Sequence, residues 1–118
     1  MKKLVSIIAI LLSCSDKPSQ EKYIVTNLPA GIRIYNFHEA YNKPTGQYIL
    51  SFTMKNETGN KIDYPQINVD LYLNEKHEGT ATSGPGTSLE NNQEGTCSIL
   101  WIFPNEKPDK LIFKFIKI

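Results

Sequence analysis

Strict two-residue alternation is the feature that most limits what this chain can fold into. Tyr48, Leu50, Phe52 and Met54 alternate with Ile49, Ser51 and Thr53. Ile67, Val69, Leu71 and Leu73 alternate with Asn68, Asp70 and Tyr72. Cys97, Ile99, Trp101 and Phe103 share a third such face, and Leu111, Phe113 and Phe115 a fourth. Successive side chains of a strand point to opposite faces, so each run is a half-buried strand with one apolar side. Shorter candidates cover Tyr23 to Thr26 and Ile32 to Phe37. No segment carries the 3.6-residue spacing of an amphipathic helix; His38 to Tyr41 is the one place with room for a helical turn. Turn chemistry separates the runs at Pro29 and Gly31, at Pro44 and Gly46, and at Pro104 and Pro108. The stretch Asn56 to Asn60 reads as a tight turn with a left-handed position at Gly59 or Asn60.

Six or seven short strands with turns between them predict an all-β fold, a sandwich or a barrel of about seven strands, and the sandwich fits best. A sandwich gives each one-sided strand a shared interior. Trp101, the one tryptophan, is the expected centre of that core. At 118 residues the chain is long enough for a single domain of this kind and too short for two.

The first residues have a different character. Met1, Lys2 and Lys3 precede nine apolar or small residues, Leu4 to Leu12. A spanning helix needs about 20 apolar residues, whereas a signal-peptide core needs about 7–15. Leu11-Leu12-Ser13-Cys14 then resembles the lipobox of bacterial lipoproteins, with Leu12 bulkier than the usual residue there. The resemblance implies cleavage between Ser13 and Cys14 and acylation of the Cys14 thiol. Residues 1–13 would be the signal peptide, 14–22 the lipidated cysteine and its tether, and 23–118 the domain. Such a protein is exported and anchored in a bacterial membrane, outer or plasma. The signal takes two lysines with it, so the formal charge of +1 becomes −1. Acyl chains, not electrostatic attraction to lipid, are then the anchor. Cys97 is left alone and is expected to be a buried, inert thiol. The rival is a Cys14–Cys97 disulfide in a conventionally secreted protein.

Laid end to end, the strands resemble the telokin-like, immunoglobulin-like domain of unknown function carried by many bacterial lipoproteins. The residues that carry the resemblance are Tyr48 to Asn56, Ile67 to Leu73 and Asn92 to Pro104, followed by a closing strand from Lys110 to Lys117. It implies an immunoglobulin-like β-sandwich of about seven strands, a binding or scaffolding module and no catalytic residue.

Chemistry-bearing motifs are sparse. His38 and His77 are far apart, and neither sits in a zinc-ligand or nucleophile frame. Glu75 and Glu78 read as a solvated hairpin end. The charge balance offers no basic stripe for nucleic acid. No metal, no cofactor and no enzymatic activity are therefore expected. The polar stretch from Gly79 to Gly95 reads as one long loop, and loops of that length are often functional. It supplies the candidate partner-binding residues Ser83, Gly84, Pro85, Gly86, Thr87, Asn91 and Asn92. Tyr35, Phe37, Tyr41 and Tyr64 are aromatic residues near loops and softer candidates. The expected function is a membrane-anchored, non-enzymatic interaction module whose partner is an envelope protein or glycan. The alternative is an inhibitor of a hydrolase, or of an incoming agent, acting through the 79–95 loop.

Overall fold

The computed structural model describes residues 22–117; the signal-peptide and lipidation residues, Ser13 and Cys14 among them, lie outside the described residues. Seven strands follow in order: β1 (Tyr23–Thr26), β2 (Ile32–Asn42), β3 (Gln47–Asn56), β4 (Gln66–Leu73), β5 (Lys76–Ser83), β6 (Glu94–Ile102) and β7 (Lys110–Lys117). They form a four-stranded sheet, β1-β7-β4-β5, and a three-stranded sheet, β2-β3-β6. The protein is a β-sandwich of seven strands. All pairings are antiparallel except β1 with β7, which is parallel. Among the described residues no helix is long and apolar enough to cross a membrane.

The core is built from the alternating faces. Tyr48, Leu50, Phe52 and Met54 of β3 are buried, as are Ile67, Val69 and Leu71 of β4. Cys97, Ile99, Leu111 and Phe113 complete the interior, with Phe103 just past β6. Phe52 and Phe113 meet edge to face across the sheets at 5.4 Å. Phe37 stacks on Tyr23 at 4.4 Å and closes the sandwich between its edge strands β1 and β2.

Three expectations are corrected. His38 to Tyr41 form no helical turn; they continue β2 to Asn42. The register shifts between Tyr35 and His38, where Asn36 adopts φ 58, so one extra residue bulges out of the strand. The Gly79–Gly95 segment is not one loop. Residues 76–83 are the edge strand β5, and only Gly84 to Gln93 connect it to β6. Trp101 is not the centre of the core. It is half-buried on β6, and its ring lies over Gly79 of β5, where a Cβ would stand 2.2 Å from the ring. Ser83 Oγ also donates to Ser98 O at 2.9 Å, so β5 and β6 close the second side of the sandwich.

The sandwich has two ends. One carries Lys22, the β2–β3 turn and the β6–β7 connection. The opposite end carries the β1–β2, β3–β4 and β5–β6 connections. The ten residues of β3 run from one to the other, which separates the ends by about 30 Å.

Candidate functional site

At the end opposite Lys22, the β5–β6 connection is tied down at several points. Leu89 is fully buried and exchanges two backbone bonds of 2.9 Å with Ile62. Asn91 Oδ1 accepts from the Gly59 N–H at 2.8 Å, and the Asn92 N–H donates to Asn56 O at 2.5 Å. Asn92 holds φ 69, which its short polar side chain tolerates. The Asn91 side-chain oxygen and the Asn92 backbone N–H thus brace the loop, while both residues remain exposed. Ser83 is buried and committed to Ser98. Gly84 is required by space, because a Cβ there would stand 2.4 Å from Pro65 O. Pro85 packs over Gly95. Gly86, at φ 75 with open space around it, and Thr87 form the exposed tip. Of the seven residues predicted from sequence, Gly86, Thr87, Asn91 and Asn92 are exposed.

The sequence reading undervalued the side chain beside that tip. Tyr64 is 60% exposed and holds φ 46, in the left-handed region that bulky residues avoid. It precedes Pro65, a position that favours extended backbone. Tyr64, Pro65, Gln66, Thr82, Ser83, Gly84 and Gly86 line a cleft of about 170 Å³. Strain of this kind persists only where the surroundings hold it in place, and it clusters at binding sites.

A larger groove of about 610 Å³ lies at the Lys22 end, between Lys22, Tyr41, Lys43, Lys107 and Pro108. Behind it sits Glu39, which β2 turns inward opposite Leu50. Glu39 accepts from Lys22 Nζ at 2.7 Å and from the Tyr48 hydroxyl at 2.7 Å, with Lys107 Nζ at 3.4 Å. Burial raises the Glu39 pKa, but the bonds from Lys22 and Tyr48 and the charge of Lys107 outweigh it, so the net shift is downward. Burial, and then Glu39 itself, drives the Tyr48 pKa well up. The Tyr41 hydroxyl is spent on Phe103 O at 2.5 Å, and Asp109 accepts from the Asn74 N–H. Lys22 and Lys107 pair with Glu39, and Lys43, Glu106 and Asp109 line the same groove, so it carries both signs of charge. This arrangement clamps the first strand and the β6–β7 connection to β2.

Among the described residues, neither histidine is placed between an acid and a nucleophile. His77 Nε2 lies 3.2 Å from Thr80 Oγ1 and 3.5 Å from Asp70 Oδ1. A relay needs acid and nucleophile on opposite ring nitrogens, whereas both meet the same one here. Asp70 also holds Lys114 at 3.1 Å. Burial raises the Asp70 pKa, while Thr80 and Lys114 bring it down overall. His38 lies on the outer face of the other sheet, in register with Ser51. Cys97 is buried, and burial pushes its thiol up to about 12, where the reactive thiolate is scarce. Among the described residues, no group of three or more His, Cys, Asp or Glu side chains is placed to hold a metal ion.

Compared with family models and with curated proteins, the chain matches none.

Proposed function

We propose that the chain is an exported bacterial lipoprotein, anchored through Cys14, with a telokin-like, immunoglobulin-like sandwich. In this reading the domain is a non-enzymatic binding module at the cell envelope. The observation that carries the reading is the polarity of the domain. Lys22 enters at one end, and the exposed Tyr64–Gly86 cleft lies at the other. A tether of residues 15–22 reaches at most about 28 Å, which holds the Lys22 end near the bilayer and turns the cleft away from it. The partner is an envelope component met on that outward side.

The experiment has two arms. Cys14→Ser is expected to move the protein out of the membrane fraction; retention there would refute the anchor. A photo-crosslinker at Thr87 is expected to capture a specific envelope component, whereas one at Lys107 captures none. Equal capture from both positions would refute the outward-facing site.

The bracing of the β5–β6 connection favours one alternative, an inhibitor that inserts this loop into a hydrolase or an incoming agent, because inhibitory loops gain affinity from preorganisation.

A further inference from the structure

The outward cleft has a chemistry that selects a ligand class. None of the side chains lining it carries a formal charge at neutral pH. Its two aliphatic hydroxyls have spent their protons inside the protein. Thr82 Oγ1 donates to Asn68 Oδ1 at 2.7 Å, and Ser83 Oγ donates to Ser98 O at 2.9 Å. What these two offer a ligand is lone pairs, so the ligand must bring donors to them, while Gln66 and the Tyr64 hydroxyl can also donate, which suits a ligand whose groups both give and accept. The cleft holds about 170 Å³, below the roughly 300–1,000 Å³ of sites for drug-sized molecules, and has room for a single ring. At its rim stands Tyr64, an exposed aromatic ring on a constrained backbone. The face of such a ring is electronegative and attracts weakly positive C–H groups.

A molecule with a C–H face, a fringe of O–H donors, no charge and the size of one ring is a neutral sugar. We infer that this cleft binds one pyranose ring of a neutral cell-envelope glycan, stacked on Tyr64 with a hydroxyl donating to Thr82. The inference rests on the proposed function and narrows its partner from any envelope component to a carbohydrate. Phosphorylated or acidic sugars are disfavoured, because no lysine or arginine lines the cleft to pair with them.

The test uses the full chain in dodecylphosphocholine micelles with methyl β-glucopyranoside, methyl β-galactopyranoside and N-acetylglucosamine as probes. Saturation-transfer NMR reads which sugar protons touch the protein. At least one probe is expected to show saturable transfer to its ring C–H protons. That binding should weaken about tenfold in Tyr64→Asn, whose side chain accepts the positive φ, and persist in Tyr64→Phe. No saturable transfer from any probe, or transfer indifferent to Tyr64→Asn, would overturn the inference. Crosslinking from Thr87 in cells separates the two levels. A polypeptide captured only when Tyr64 is present, with no sugar signal, overturns the glycan and leaves the interaction module standing. Neither sugar binding nor Tyr64-dependent capture overturns both.

Discussion

Asn56 is where removing one small side chain should do most harm. It ends β3, is fully buried, and satisfies its whole side chain locally. Nδ2 donates to Asn60 O at 2.6 Å and to Leu89 O at 3.0 Å. Oδ1 accepts from the Thr58 N–H at 3.0 Å and from Thr58 Oγ1 at 2.7 Å. Four bonds at about 1 kcal/mol each set an upper figure near 4 for Asn56→Ala. Part of this is recovered, because Thr58 Oγ1 also reaches Asn60 O and Leu89 O keeps its bond from Ile62. The expected loss is about 2–4 kcal/mol, a large share of what a domain of this size has. Asn56→Asp separates hydrogen bonding from shape. It keeps both acceptor bonds but turns a carboxylate oxygen toward two carbonyls, so at neutral pH it should be worse than Ala. Those carbonyls raise the carboxyl's folded pKa above its unfolded value of about 4. Its deficit is therefore smallest in acid, where the protonated group donates to one carbonyl, and grows as pH rises. Urea titrations followed by Trp101 fluorescence measure both variants. An Asn56→Ala loss below about 1 kcal/mol, or an Asp variant as stable as the parent at neutral pH, would refute the reasoning.

Three further outcomes follow from the packing and the charges. Gly79→Ala puts a Cβ into the Trp101 ring and should cost about 1–3 kcal/mol with a red-shifted tryptophan emission; an unshifted spectrum and unchanged stability would count against the contact. Cys97 should resist maleimide in the folded protein and label rapidly in urea, since burial holds its thiol up near 12. Glu39 is held below its ordinary pKa, so its contribution to stability is present above the unfolded value and lost as pH falls through the folded one; urea melts from pH 7 to pH 3 should fall less steeply for Glu39→Gln than for the parent.

The strands that the sequence made legible are those whose alternation runs unbroken, and the failures have identifiable causes. In β2 the phase changes at the bulge. Before Asn36 the inward residues are Ile32 and Ile34; after it they are Phe37, Glu39 and Tyr41. One inserted residue flips every later side chain, so the strand reads as ending at Phe37. An inward glutamate hides the continuation further, because only its lysine and tyrosine partners in three dimensions make that position tolerable. The misplacement of Trp101 and the missed strand β5 share one cause. β5 reads as a loop because it has no large apolar side chain, only Ala81 and Ser83 toward the interior beside Gly79. The missing bulk comes from β6, whose Trp101 leans over Gly79. A large residue on one edge and a glycine on the other form a single complementary contact, and alternation within one strand carries no trace of it.

The candidate cleft was half legible for a related reason. Its glycines are visible as turn-formers, and Gly84 and Gly86 were placed near a partner-facing tip from that chemistry alone. Asn91 and Asn92 share the same polar, turn-rich composition and are exposed too, yet the Asn91 side-chain oxygen and the Asn92 backbone N–H are taken up in bracing the loop. Composition marks a segment as surface loop but does not say which polar groups are already consumed by neighbours distant in sequence. Tyr64 shows the converse. Its sequence context, a residue before proline, argues for extended backbone, and only the packed β3–β4 connection shows it held at φ 46. That backbone constraint is what gives an exposed tyrosine meaning here. A tyrosine on a freely moving loop would lose backbone entropy on binding, whereas the backbone of Tyr64, held beside Thr82 and Gly86, has lost much of it on folding. The ordering of that backbone on folding is therefore expected to spare entropy on binding, and Tyr64→Gly, which relaxes the strained φ, should stabilise the fold while weakening sugar binding by at least the roughly tenfold of Tyr64→Asn.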